Sequence, residues 1–94
     1  MEKSRKTKLK MEYPANYRIL VQGDLDQRWT GRMGGLEITV FNSEKNFMVT
    51  QLSGEMLDQA ALMGVLNTLY ELRLPLLMVV GMDYFDDFTF FSEG

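Results

Sequence analysis

Residues 58–77, which read DQAALMGVLNTLYELRLPLL, decide the fold of this chain. Apolar side chains recur there at spacings of one, three and four, the period of one face of an α-helix. Asp58 stands at the N-cap position. Pro75 stops the helix at Arg73 or Leu74, because proline cannot continue a helix and restricts the residue before it. The stretch therefore predicts a long amphipathic helix followed by a buried strand. The predicted apolar face of the helix consists of Ala61, Leu62, Val65, Leu66, Leu69 and Leu72.

The segments around the helix predict four strands from their alternation or their apolar runs. These strands are residues 17–22, 36–40, 47–52 and, after the helix, 76–80. Residues 42–46 are turn material, so the second and third strands should form a hairpin. Residues 25–33 carry Asp26 as a candidate N-cap and are followed by Gly34-Gly35, so they form either a short helix or a wound loop.

This order of elements predicts an α+β domain, with a four-stranded, mainly antiparallel sheet and one long helix on one face. It is typical of the ferredoxin-like βαββαβ arrangement with a short or degenerate first helix. If residues 25–33 are a loop, the arrangement becomes βββαβ. A chain of 94 residues allows one small domain, which we assign to residues 13–82. Residues 1–12 are expected to be a disordered basic leader, and residues 83–94 an acidic, aromatic tail.

Charge is divided between the two ends of the chain. Residues 1–12 carry a net charge of +3 and residues 83–94 carry -4, while the whole chain sums to -3. The leader could serve as an arm for nucleic acid or an anionic membrane, since clustered Lys and Arg bind phosphates. A solubilising tail is the preferred interpretation, because no aromatic residue is interleaved among the first ten positions. The domain itself has no basic face, which argues against nucleic acid as a partner.

Histidine and cysteine are absent from the sequence. Their absence removes the commonest general base, the thiolate nucleophile and the usual transition-metal ligands. We therefore expect no enzyme, no catalytic residue, no metal and no cofactor. No apolar run reaches the ~18 residues needed to cross a bilayer. No signal peptide is recognisable, so a cytoplasmic protein with no membrane partner is expected.

Asp24, Asp26, Arg28 and Trp29 are the best candidates for a ligand-binding loop. Paired carboxylates at a strand end could hold Mg²⁺ or Ca²⁺, and Trp29 with Arg28 could stack on a base or ring. A structural interpretation is preferred, in which Asp24 forms a turn and Asp26 caps a helix. Trp29 would then close the open end of the core.

The sheet face away from the helix is a candidate for a protein interface. One helix covers only one face, so the other face must be polar or must be covered by a neighbour. We therefore expect a second copy, the tail or another protein to cover it. The apolar side chains assigned to that face are Leu20, Phe41, and either Met78 with Val80 or Leu77 with Val79.

The acidic, aromatic tail is the second candidate for a protein interface. Its rings could fold back over exposed sheet, add an edge strand, or insert into a partner's groove. We expect this protein to be a small, non-enzymatic interaction or regulatory module. It would bind a second copy (as a homodimer) or another protein through the sheet face or the tail. The aromatic residues of the tail are Tyr84, Phe85, Phe88, Phe90 and Phe91.

The chain also resembles a family of small prokaryotic proteins with no established function. The resemblance runs from Tyr17 to Val80 and supports a compact α+β domain, and it transfers no catalytic residue. Met63 departs from it, since such proteins often carry a histidine there, which argues against a shared metal or acid–base role. The segments that carry the resemblance are residues 21–29 (VQGDLDQRW), 35–39 (GLEIT), 58–66 (DQAALMGVL) and 74–79 (LPLLMV).

Overall fold

Residues 13–84 are described by the computed structural model, in which one long helix packs on a four-stranded antiparallel sheet. The strand order is β2-β3-β1-β4, and every neighbouring pair is antiparallel. The α+β class predicted from the sequence is thus confirmed. The basic leader and residues 85–94 lie outside the described residues. The strands are β1 (Ala15–Gln22), β2 (Glu37–Asn42), β3 (Met48–Met56) and β4 (Leu76–Gly81). The helical elements are a 3₁₀ helix (Gln27–Met33), α1 (Gln59–Glu71) and a 3₁₀ turn (Met82–Tyr84).

The third strand is longer than its alternation predicts. A strand of residues 47–52 is expected, but β3 continues to Met56, because its second half pairs with β1. Gly54, expected just outside the strand, lies opposite Tyr17 within this ladder. A Cβ at Gly54 would stand 3.2 Å from Cδ2 of Leu36. Glycine therefore leaves the space that the Leu36 side chain fills in the core.

The long helix begins at the predicted cap. The Asp58 carboxylate accepts a hydrogen bond from the backbone N–H of Ala61 at 2.8 Å. This bond satisfies one of the free N–H groups of the first turn. The predicted apolar stripe faces the sheet, with Leu62, Val65 and Leu69 buried and the other three members packed partly against the core: Ala61, Leu66 and Leu72.

The end of α1 is a Schellman motif closed by an arginine. The backbone N–H of Leu74 donates to the carbonyl of Leu69 at 3.1 Å, and that of Arg73 donates to the carbonyl of Tyr70 at 2.9 Å. The position between these bonds needs a left-handed backbone, and Arg73 has φ of 63°. Glycine usually occupies this position, because a Cβ is strained there.

Replacing Arg73 by glycine is therefore expected to stabilise the fold by about 1 kcal/mol, by removing the left-handed strain. Arg73→Ala is the matched control, since it removes the guanidinium and keeps the Cβ. Thermal unfolding of both variants measures the effect. Equal melting temperatures for the two variants would contradict a backbone origin.

The core lies between α1, the 3₁₀ helix and the sheet face that they cover, which we call the inner face; the opposite face is the outer face. Ile19 of β1 and Leu52 of β3 are fully buried at its centre. Met33, which belongs to the 3₁₀ helix, is also fully buried. The sequence predicted either a short helix or a loop for this segment. Gly34 ends that helix in a left-handed conformation, with φ of 69°.

Thr50 is a polar residue with no exposed surface. Its hydroxyl donates to the carbonyl of Gly23 at 2.7 Å and accepts from the backbone N–H of Leu25 at 3.0 Å. Both partners belong to the loop that joins β1 to the 3₁₀ helix. One side chain of β3 thus satisfies two backbone groups of a buried loop end.

Candidate docking surface

The long helix leaves part of the inner face bare on the β4 side. α1 packs against β3 and the 3₁₀ helix, and the side-chain amide of its first residue, Gln59, donates to the Tyr17 hydroxyl of β1 at 3.2 Å. Val79 of β4 pairs with Ile19 and so belongs to the inner face, but it remains 36% exposed. The stretch 76–78 is irregular, since Val21 pairs with Leu76 where a regular ladder would place Leu77. Both of these leucines are exposed.

An apolar groove lies where α1, the turn after it and β4 meet. Its volume is about 380 Å³. Tyr70, which belongs to α1, is 79% exposed beside it, so the groove continues onto the helix surface. We call this surface the α1–β4 groove, and its residues are Leu66, Leu69, Tyr70, Arg73, Leu74, Pro75 and Leu76.

β4 is also an edge strand, because β1 is its neighbour on one side only. Natural edge strands are protected by charged residues, proline or strong bulges that block pairing with another chain. Residues 76–81 carry no charge and no proline. The other edge, β2, begins with Glu37 and carries exposed Thr39 and Asn42. Of the two edges, β4 is the one with neither charge nor proline, and its ladder with β1 is irregular only at residues 76–78.

The outer face carries the side chains predicted for it. Leu20 pairs with Met78, which assigns Met78, and with it Val80, to the same face as Leu20. Phe41 lies opposite Val49 and is 42% exposed. Leu20 and Phe41 do not touch in this register, because they belong to different rows. The outer face is therefore mixed, and its apolar residues are less exposed than those beside the α1–β4 groove.

After β4 the chain turns back toward β1. The Asp83 carboxylate accepts from the backbone N–H of Asn16 at 3.0 Å and from its side-chain amide at 3.2 Å. The 3₁₀ turn that carries Asp83 packs on β1. Residues 82–84 therefore do not cover the free edge of β4. Tyr84 has its backbone in this turn, and the other aromatic residues of the tail lie outside the described residues.

The proposed ligand loop is occupied by its own hydrogen bonds. The Asp26 carboxylate accepts from the backbone N–H of Arg28 at 2.8 Å and from its guanidinium at 3.1 Å. These bonds, the backbone one first, lower the pKa of the Asp26 carboxyl. Asp26 is thus the cap of the 3₁₀ helix, as the structural interpretation predicts.

Trp29 and Asp24 are the other two side chains predicted for this loop. Trp29 packs against the core from the 3₁₀ helix, and the guanidinium of Arg32 stands 5.1 Å from its ring centroid. This contact is a cation–π interaction on the ring. Asp24 is exposed and is not brought into a shared cluster with Asp26. Among residues 13–84, no group of three or more acidic side chains is arranged to hold a metal ion.

Sequence reasoning did not identify the α1–β4 groove. One signal was available, since Met63 and Tyr70 are large apolar residues on the side of α1 predicted to face water, and both are exposed. A second signal was the uncharged run after Pro75. Neither signal reveals that Leu76, Leu77 and Val79 of β4 stay exposed beside the helix. Among residues 13–84, no helix is long and apolar enough to cross a membrane.

The fold and its surfaces define a small α+β domain with an open antiparallel sheet and one main helix. Residues 16–80 match the family model described as "Domain of unknown function (DUF8691)". Because this match spans more than half of the chain, the protein belongs to the DUF8691 family. The matched region includes the α1–β4 groove and all of β4 except Gly81. No curated protein and no solved structure gives a match.

Proposed function

We propose that this protein is a non-enzymatic interaction module that self-associates through β4 and the α1–β4 groove. In the proposed homodimer, β4 of one copy pairs antiparallel with β4 of the other, and the two four-stranded sheets become continuous. The observation that carries the proposal is an uncharged edge strand beside exposed Leu76, Leu77 and Tyr70.

A second copy fits this surface better than a charged partner does. A two-fold axis brings identical residues together, so any charge on the strand would meet its own copy. Residues 76–81 carry none. Pairing would satisfy the free backbone groups of β4 and would bury leucine surface at roughly 25 cal/mol per Å². The turn of residues 82–84 beneath β1 leaves the edge accessible to the second chain.

We also propose a fold family and a cellular location for this protein. We place the domain among ferredoxin-like folds, with the 3₁₀ helix in the position of a degenerate first helix. Two features support this: β3 lies between β1 and β2, and helical elements follow β1 and β3. A cytoplasmic location in a prokaryote is proposed from the cysteine-free sequence and from the resemblance quoted above. A ligand site in the Asp26 loop has less support, because its carboxylate is already occupied.

Placing a lysine at Leu77 is expected to dissociate the homodimer. Lysine on an edge strand is one of the devices that block pairing. Losing one buried leucine contact in each copy weakens association by roughly a hundredfold. Light scattering over a concentration series measures the mass against the 10.9 kDa of one chain.

The matched control is Thr39→Lys, which adds the same charge to the exposed edge strand β2. The wild type and Thr39→Lys should have twice the mass of one chain, and Leu77→Lys should have the mass of one chain. A wild type that stays monomeric at every concentration would refute the proposal. So would a Leu77→Lys variant with the wild-type mass. Dissociation by Leu20→Lys combined with Phe41→Lys, and not by Leu77→Lys, would move the interface to the outer face.

A further inference from the structure

We propose that residues 85–94 dock on the outer face of the sheet of their own chain, with carboxylates at Arg18 and phenylalanines over the apolar rows beyond it. This inference does not depend on the homodimer, which uses the opposite face and the edge. It assigns an occupant to the mixed face that a single helix leaves open.

The segment departs from a fixed point on the outer side of the sheet. The side chain of Asn16 belongs to the outer face, since Ala15 and Tyr17 on either side of it are buried in the core. The Asp83 carboxylate accepts from the Asn16 side-chain amide at 3.2 Å. The chain is therefore fixed on the outer side of the sheet, at the first row of β1, two residues before the segment begins.

The rows of side chains along the outer face change from polar and basic to apolar. Counting from Asn16, the next row holds Arg18 between Ser53 and Val80, and Arg18 is exposed. Within residues 13–84, Arg18 forms no ion pair. Asp86 and Asp87 are the first charged residues after the described part of the chain. The two carboxylates are therefore close enough along the chain to reach the row of Arg18.

The later rows are apolar at the positions that the phenylalanines would reach. The third row pairs Leu20 with Met78, both half-buried. The fourth row places Val49, which is itself buried, beside Phe41, which is 42% exposed. Phe88, Phe90 and Phe91 follow the two aspartates. From Asp86 to Phe91 the segment is acidic and then aromatic, which matches the order of the rows, basic and then apolar. The apolar members of these rows are Leu20, Phe41, Val49 and Met78.

The segment is long enough to cross the outer face. The fourth row lies six residues along β1 from Asn16, at Gln22, which is about 20 Å in a strand. Phe91 lies eight residues beyond Asp83, which spans about 26 Å when extended. The segment therefore reaches the last apolar row with its aromatic residues, without leaving its own chain.

The absence of cysteine permits a direct test, because a single Ser92→Cys variant carries one spin label at a known place. We would measure, by NMR, how far the spin label weakens each backbone amide signal in the full chain that also carries Leu77→Lys. The expected loss is strongest in β2 and β3, at Thr39 and Gln51, and weak in α1, at Met63 and Tyr70. Signal loss centred on α1 would place the segment in the α1–β4 groove. No signal loss at any amide would show that the segment is unbound. Either result overturns the proposal.

A charge reversal separates docking from mere proximity. Arg18→Glu should reduce the signal loss at Thr39 and Gln51, while Lys45→Glu, in the β2–β3 turn, should leave it unchanged. Equal effects of the two variants would contradict the assigned contact. Mixing spin-labelled chains with isotope-labelled chains that lack the label should give no loss, since the contact is within one chain. Light scattering of a chain ending at Tyr84 tests the homodimer separately, because its interface does not include the segment.

Discussion

Replacing Leu52 by alanine is expected to destabilise the fold by about 3 kcal/mol. Leu52 lies in β3 and pairs with Ile19 on one side and Ile38 on the other. It has no exposed surface, so its removal leaves a cavity that its strand neighbours cannot fill without breaking the ladder. Denaturant unfolding followed by circular dichroism should show a lower midpoint with an unchanged slope.

The matched control for this prediction is Leu57→Ala. Leu57 precedes the cap of α1 and is 72% exposed, so the same truncation there should change the free energy of unfolding by no more than about 0.5 kcal/mol. If both variants lost the same stability, the central position of Leu52 would not be the cause. If neither lost any, the core as described would be wrong.

Replacing Thr50 by valine is expected to cost about 2 kcal/mol, although the two side chains have nearly the same shape. The change removes the acceptor of the Leu25 N–H and the donor to the Gly23 carbonyl, and it leaves both groups beside the core without their partner. An unsatisfied buried backbone group carries its full desolvation cost. Hydrogen exchange at the Leu25 amide should also become faster, because that N–H loses its acceptor.

Thr39→Val is the control for Thr50→Val. Thr39 is exposed on the edge strand β2, so the same substitution there removes no buried hydrogen bond and should be close to neutral. A Thr50→Val variant as stable as Thr39→Val would show that the loop does not depend on the hydroxyl. Unchanged exchange at Leu25 would lead to the same conclusion.

Much of the fold was predictable, because its signals are local. The cap at Asp58, the stripe of α1 and the stop before Pro75 depend on residues within a few positions of one another. The alternation of β1 likewise identified its buried side. The first 3₁₀ helix was left open as a helix or a loop, since seven residues with two glycines close behind them support either.

The candidate surfaces were predicted less completely, because they depend on where one element lies over another. The sequence identified Leu20 and Phe41 as outer-face residues, and the register supports this. It did not show that Leu76, Leu77 and Val79 of β4 stay exposed beside α1. A periodic apolar stripe predicts which face of a helix is buried, but it does not predict which strands the helix covers.

The sequence by itself determined the long helix, the presence of four strands and the caps at Asp26 and Asp58, because periodicity, capping and proline act over a few neighbouring residues. Only the tertiary structure decided that β4 is an uncharged edge, that Thr50 satisfies the loop between Gly23 and Leu25, and that Asp83 holds the turn after β4 beside Asn16. Each of these facts joins residues distant in the chain. Such contacts depend on the register and on the position of the helix, which are set by the packing of the whole domain.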